Sequence, residues 1–522
     1  MADTIRRPEG GHVPGPGAGP ASGLRQHFVA ALQTPAAPPR PPMPPTAPTG
    51  GPTAVPVTPV VTGGVAAGVV PVDFEQISEL RAQVANLIAV EGAGVVMTAI
   101  EDRHQFGMER VVRVVAQWAT DYTAHVRPLT REEEVAVRQA VFDSVFRAGR
   151  LQPLLDDPGV ENIIINGCDE VVVDYQDRPQ HRHAPVAGTD AELVDLVNQL
   201  ARTQGQSERV LTPSTPNLNM RLDDGSRLAA SYLVTPRPHV VIRKHRIKDG
   251  RLRDLVAWGT IDPVLEQFLA GLVRARKNVI VVGSQAVGKT SLLRAMAREI
   301  PETERIGTLE SEFELWLHEI RDGVVAYEAR ESNGERGPDG RLSGEITLSD
   351  LIPQALRMSL RRILVGEVRS KEVVPMLHAM NEGEGGSMCT LHARTARSAM
   401  DRIATLCLEA GIGMTETLAY RLVAEAIDFI VYIRLVDETA IGGVKHRFVS
   451  EIVEITGIGE TGRPSVQRVF GPREANGHRE VRAVPDTMPL CIEDLVRAGF
   501  ERSWWQYSFG AWDTPLTTVV PL

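Results

Sequence analysis

Residues 278–294 read NVIVVGSQAVGKTSLLR. An apolar run ends in a glycine-bounded loop, and a Lys-Thr pair opens an amphipathic stretch. GSQAVGKT fits the phosphate-loop pattern G-x-x-x-x-G-K-[ST] through Gly283, Gly288, Lys289 and Thr290. The glycines let the backbone N–H groups of Ser284, Gln285, Ala286 and Val287 curl around an anion. The Lys289 ammonium would balance β- and γ-phosphate charge, and the Thr290 hydroxyl would ligate Mg²⁺. The helix opening at Lys289, Thr290 and Ser291 adds the positive end of its dipole. A strand before the loop and a helix after it give the motif its structural context, so the stretch predicts nucleotide binding.

Working outward, strands and helices alternate on both sides. DPVLEQFLAGLVRARK (262–277) reads as a helix, RIGTLE, RILVGE and SMCTLHA as strands, with helical segments around them. That alternation predicts an α/β fold with a mostly parallel sheet covered by helices on both faces. DFIVYIRLVD, KHRFVSEIVEITGIG and SVQRVFG predict a β-rich end, giving a motor domain over 251–470. Upstream, 151–250 carries short β-branched runs, among them NIIING and EVVVDY, broken by turn residues around one helical stretch. This predicts a separate α+β domain. Residues 73–150 predict a helical module: FEQISELRAQVANLIAVEG sets Ile77, Leu80, Val84 and Leu87 on one face. Thr130 and Glu133 stand at capping-box spacing. Residues 1–72 hold 16 of the 36 prolines and read as a disordered tail. Residues 471–522 form a C-terminal extension whose aromatic cluster, RSWWQYSFGAW, predicts packing of a terminal segment.

The chain has 522 residues, too many for one compact core. Its formal net charge of -10 weighs against a general nucleic-acid coat, so no stable nucleic-acid binding is expected. The four cysteines lie far apart without metal-ligand spacing and read as reduced thiols. No apolar run reaches the ~18–20 residues that span a bilayer, and no signal-peptide apolar stretch follows the N-terminal arginines. The expectation is a cytosolic protein, or one peripheral to a membrane through partners.

A phosphate loop alone leaves GTPases, nucleotide kinases and ATPase motors open. The guanine-reading N-K-x-D tetrapeptide is absent from the sequence. RILVGEVR (362–369) runs an apolar strand into Glu367, placing a carboxylate at the carboxyl edge of the sheet. There it would orient or deprotonate an attacking water. GGSMCTLHA (385–393) ends in His392, and RIGTLESEFEL (305–315) ends a strand in Glu310, with Glu312 and Glu314 behind it. Taken alone, His392 fits a packed or capping residue as well as a catalytic one, and the acidic cluster fits a solvated turn.

In this order, within about 110 residues, these motifs resemble those of the type II/type IV secretion and type IV pilus motor ATPases. The upstream segments LLDDPGVENIIINGCDEVVVD, LDDGSRLAASY and VVIRKH bring the chain nearest the CpaF/TadA, or tight-adherence pilus, branch. The resemblance runs from about 150 to 455. It implies a RecA-like motor domain preceded by a PAS-like α+β domain, and a homohexamer docked at the inner face of the cell membrane on platform proteins. It further implies ATP-driven domain closure that powers pilus assembly or secretion. Residue by residue, it implies Walker A at Gly283–Thr290, acidic-box residues at Glu310 and Glu314, and the Walker B glutamate at Glu367, set to hold Mg²⁺ through water. The γ-phosphate sensor falls at His392, and nucleotide-reaching arginines fall at Arg227 and Arg243. The chain departs from the pattern at Ser311, at Glu384 and at SLRR (359–362), which predicts reduced or partner-dependent turnover. A conjugative or effector type IV secretion ATPase, and a nucleotide-binding scaffold with weak hydrolysis, stay open as alternatives.

Overall fold

The computed structural model describes residues 74–92, 100–175, 178–204, 210–244, 250–330, 332, 344–411, 413–475 and 478–522. The expected disordered tail, 1–72, lies outside the described residues. All described residues belong to one compact unit, Ala66–Leu522.

The helical module comprises α1 (Phe74–Glu91), α2 (Ile100–His125) and α3 (Arg131–Phe146). Ile77, Leu80 and Val84 of α1 share a small core with Val111, Val114 and Val115 of α2 and with Val137 and Val141 of α3. The capping box forms as its spacing predicts: Glu133 N donates to Thr130 Oγ1 and Thr130 N to Glu133 Oε2.

After the short helix α4 (Gln152–Asp156) come β1 (Val160–Asn166), β2 (Val171–Tyr175), β3 (His181–His183), α5 (Asp190–Gln204), β4 (Asn217–Arg221), β5 (Arg227–Ser231) and β6 (His239–Arg243). The strands form one antiparallel sheet in the order β3-β2-β1-β6-β5-β4. Alternation along β5 and β6 sends Leu228, Ala230, Val240 and Ile242 into a core shared with α5. The intervening positions, Arg227 and Arg243, share the other face and stand directly opposite each other across the β5–β6 ladder.

The motor domain begins with α6 (Leu252–Ala257) and α7 (Pro263–Arg274), the latter capped by Asp262 and opened by proline. There follow β7 (Val279–Gly283), α8 (Lys289–Ala297), β8 (Ile306–Glu310), β9 (Val324–Glu328), α9 (Leu348–Ala355), β10 (Arg362–Val368), α10 (Val373–Glu382) and β11 (Met388–His392). The chain continues through α11 (Ala396–Glu409), α12 (Glu416–Ala426), β12 (Phe429–Asp437), β13 (Lys445–Ile458), β14 (Pro464–Ala475), β15 (His478–Pro485) and α13 (Ile492–Arg497). These strands build a nine-stranded sheet, β15-β14-β13-β12-β7-β11-β10-β8-β9. The ladders from β12 to β9 are parallel, and those from β12 to β15 are antiparallel. Every residue of β7 is buried, as expected of a central parallel strand covered on both faces. One core, around Phe268, Leu292, Phe429 and Phe470, packs on one face of the sheet. The other, around Ile352, Leu377, Ile403 and Val423, packs on the opposite face.

The boundary expected at residue 471 falls inside β14, so the C-terminal stretch does not begin as a separate extension. Its β15 pairs with β14, and its aromatics complete the motor core. Phe500 lies 5.8 Å from Phe268 between ring centroids, and Trp505 lies 5.1 Å from Phe470. Ala511 N also donates to Asp262 Oδ2 at 2.6 Å, fastening the chain end to the start of α7.

Candidate nucleotide site

The strand order explains why distant motifs meet. β7, β11, β10 and β8 are consecutive neighbours running in one direction, so their carboxyl ends form one edge. His392 stands in register with Gly283 across the β11–β7 ladder. Glu367 is the penultimate residue of β10, and Glu310 ends β8 on that same edge. The crevice outside the carboxyl ends of a parallel sheet is where such folds bind ligands.

The loop after β7 depends on both glycines. Gly288 caps α8 with φ 97°, in the left-handed region that disfavours other residues. A Cβ at Gly283 would lie 2.5 Å from the Ile433 carbonyl oxygen. Lys289 Nζ donates to Ser284 O at 2.9 Å and sits 3.1 Å from His392 Nδ1. Burial pulls its ammonium down to about 8; Arg243 pushes the same way, while Glu367 and Glu314 oppose.

His392 Nε2 lies 2.5 Å from Glu367 Oε1, and Arg369 Nε donates to Glu367 Oε2 at 2.6 Å. Burial works to raise the Glu367 carboxyl, but His392 and Arg369 outweigh it and hold the group at about 2. Glu367 is therefore ionised throughout the physiological range.

The two acidic-box glutamates take different places. Glu310 is buried beneath the cleft and accepts from Glu314 N at 2.7 Å and Leu315 N at 2.8 Å. Burial lifts its carboxyl to about 7, against those two amides. Its geometry is that of a group positioning the 312–315 loop. Glu314, carried by that loop, reaches the cleft and accepts from Thr290 Oγ1 at 2.8 Å.

The α+β domain supplies the facing wall. Arg227 pairs with Glu314, lies 2.5 Å from Glu312 Oε2, and donates to Glu312 O at 2.9 Å. Arg243 lines the same cleft with Lys244 and Glu161. Like charges directly opposite on neighbouring strands repel each other, so the Arg227–Arg243 pair creates a demand for anions. Glu312 and Glu314 answer part of that demand. Thr290 Oγ1, Glu314 and Glu367 form a hard oxygen donor set, and its chemistry fits a magnesium ion bound with phosphate oxygens and water.

Residues 152–470 match the family described as Type II/IV secretion system protein. The chain belongs to that family. A Mycobacterium tuberculosis protein named for conjugal transfer is 33% identical over 252 residues, spanning 47% of this chain and 69% of its own. The type IV secretion system protein VirB11 of Brucella suis is 26% identical over 332 residues, 58% of this chain and 88% of its own. The crystal structure of the Brucella suis VirB11 ATPase with sulphate shares 25% identity, covering 60% of this chain and 96% of that one, with a TM-score of 0.30.

As a type II/IV secretion family member, the chain accommodates its departures with local partners. Ser311 is exposed, whereas Glu314 supplies the carboxylate at Thr290. Glu384 is held by Arg276 and Arg361. Arg362 is fully buried and forms paired hydrogen bonds with Glu304 at 2.7 and 2.8 Å. SLRR thus supplies partners for both glutamates.

The cleft also contains residues that no motif marked. Arg447 donates to Ala286 O at 3.3 Å and to Glu161 Oε1 at 2.7 Å, tying the phosphate loop to the α+β domain. Lys445 holds Asp174 Oδ1 at 3.0 Å. Both sit on β13, whose sequence KHRFVSE showed only strand character. The one available signal was a cationic pair at alternate positions of a strand, which by itself reads as a solvated face.

Proposed function

We propose that the chain is a magnesium-dependent ATPase motor. It would convert ATP-driven closure of the cleft into mechanical work on a pilus-assembly or secretion machine. The observation that carries this reading is the convergence on one cleft of Lys289, Thr290, Glu314, Glu367 and His392 from the motor domain with Arg227 and Arg243 from the α+β domain. Hydrolysis needs a water aligned with the γ-phosphorus and cations around the equatorial oxygens, with little covalent help from the protein. Lys289 and Arg243 supply cations, with Arg227 released to the phosphates as Glu312 and Glu314 let it go. At about 2, the Glu367 carboxylate is a weak proton acceptor. Its role is to orient the attacking water by accepting its hydrogen bond. Magnesium held by Thr290, with Glu314 and Glu367 through water, would neutralise charge on the phosphate oxygens.

On this reading the working form is a homohexamer at the inner face of the cell membrane, docked on platform proteins in the manner of the tight-adherence pilus branch. No helix among the described residues is long and apolar enough to cross a membrane. On the proposed reading, docking would carry the attachment for this part of the chain. The names of the Mycobacterium and Brucella relatives favour a second reading of the same site, in which the work drives conjugative or effector transfer.

The test is ATP turnover by the full chain with magnesium, beside Lys289→Ala, with native mass measured in the presence and absence of ATP. Turnover reduced at least about a hundredfold in the variant supports the reading. Equal turnover in the two proteins would remove it.

A further inference from the structure

The phosphate loop divides the cleft into two ends, and only one is occupied by phosphoryl-transfer groups. His392 and Glu367 come from β11 and β10, on one side of β7. On the other side lie β12, carrying Ile433, and β13. The Ile433 Cδ1 atom would lie 3.8 Å from a Cβ placed on Gly288, so it abuts the loop itself. The α6–α7 linker runs along this second side, with Thr260 O accepting from Val449 N of β13 at 2.9 Å.

That linker places Trp258 on the cleft. Its backbone is well fixed: Trp258 N donates to Asp254 O at 3.0 Å, and Thr260 N donates to Leu255 O at 2.9 Å. On either side, Leu255 and Ile261 are buried in the motor core. Trp258 nevertheless stays 52% exposed, whereas Trp316 is 8% exposed and Trp504, Trp505 and Trp512 pack on the core. A large aromatic held on a rigid backbone and left half in solvent is a stacking surface in want of a partner. Leu255, Val287 and Ile433 line the cleft with it, and Thr260 and Ser291 add hydroxyls.

We infer that Trp258 is the base-stacking residue of the nucleotide site. The triphosphate crosses the phosphate loop toward His392 and Glu367, and the base lies on the indole at the β12–β13 side. A two-ring purine overlaps the indole more fully than a pyrimidine does, so Trp258 also sets a preference for purine nucleotides. This inference rests on the ATPase reading above, and it adds the subsite that reads the base.

The test is calorimetric titration of the full chain with ATP, UTP and inorganic tripolyphosphate in magnesium buffer, on wild type, Trp258→Ala and Trp258→Phe. Trp258→Ala is expected to weaken ATP binding about tenfold. Tripolyphosphate affinity stays unchanged, because the phosphate loop is intact. Trp258→Phe keeps ATP affinity near that of wild type, and the gap between ATP and UTP narrows in Trp258→Ala. If Trp258→Ala binds ATP as wild type does, or loses ATP and tripolyphosphate equally, Trp258 has no base-specific role. Wild type that binds neither ATP nor tripolyphosphate would overturn the ATPase reading along with this one.

Discussion

One carboxylate, Glu314, engages both Thr290 Oγ1 and the Arg227 guanidinium. These are the groups that would hold the metal and the phosphates, so the acidic loop links the two walls of the cleft through the atoms a nucleotide would claim. Lys289 shows the cost of such a site. Burial holds its ammonium at about 8 against an ordinary 10.5. Phosphate charge raises that value again, so binding ATP above about pH 8 must take up a proton. ATP affinity is therefore expected to be flat from pH 6.5 to about 8, then to fall by up to about tenfold per pH unit. Titrations between pH 6.5 and 9.5 measure this directly, and affinity that stays level to pH 9.5 would show that Lys289 is charged throughout. Glycine spacing and the Lys-Thr pair made the phosphate loop legible in the sequence. The contrast between Glu310 and Glu314 was not legible, because it depends on which carboxylate the loop turns inward. In the chain the two are simply neighbours in an acidic run.

At the scale of elements, apolar runs and turn residues marked β7, β8, β10 and β11 well. Their lateral order was hidden, since β11 comes last of the four in the chain yet lies beside β7, the first. Crossover geometry decides that order, and no local pattern records it. β14 was recognisable as a strand, but its continuation past residue 470 into a pairing with β15 was not. The Arg473–Glu480 and Glu474–Arg479 pairs of that ladder carry charges that mask the strand pattern. Arg362 was equally unforeseen as a core residue. It opens β10 fully buried, with its guanidinium on Glu304 and on Val273 O at 2.5 Å. Removing Arg362 leaves Glu304 with Arg276 Nη2, 3.1 Å away, as its remaining partner. Arg362→Ala is expected to cost about 2–3 kcal/mol of folding stability, through the lost charge-assisted hydrogen bonds. Arg362→Met combined with Glu304→Gln should recover most of that loss. Urea unfolding of the three proteins measures it, and a cost for Arg362→Ala below about 1 kcal/mol would mean that water reaches the site.

At the scale of the molecule, the α+β domain and the motor meet through charged contacts. Arg221 donates to Glu328 at 2.7 Å and lies over the rings of Phe313 and Trp316. Arg227 meets the acidic loop, and Lys445 and Arg447 reach Asp174 and Glu161. On the proposed motor reading, these ion pairs would exchange partners as the joint opens and closes. The central claim is that this joint encloses a site where Glu367 orients the attacking water. Glu367→Gln keeps the side-chain shape and removes the charge. The decisive measurement is ATP affinity and ADP production by Glu367→Gln beside wild type, in full-length protein with magnesium. ATP affinity within a few-fold of wild type, with hydrolysis reduced at least about a hundredfold, is the expected result. Hydrolysis at the wild-type rate would contradict the claim.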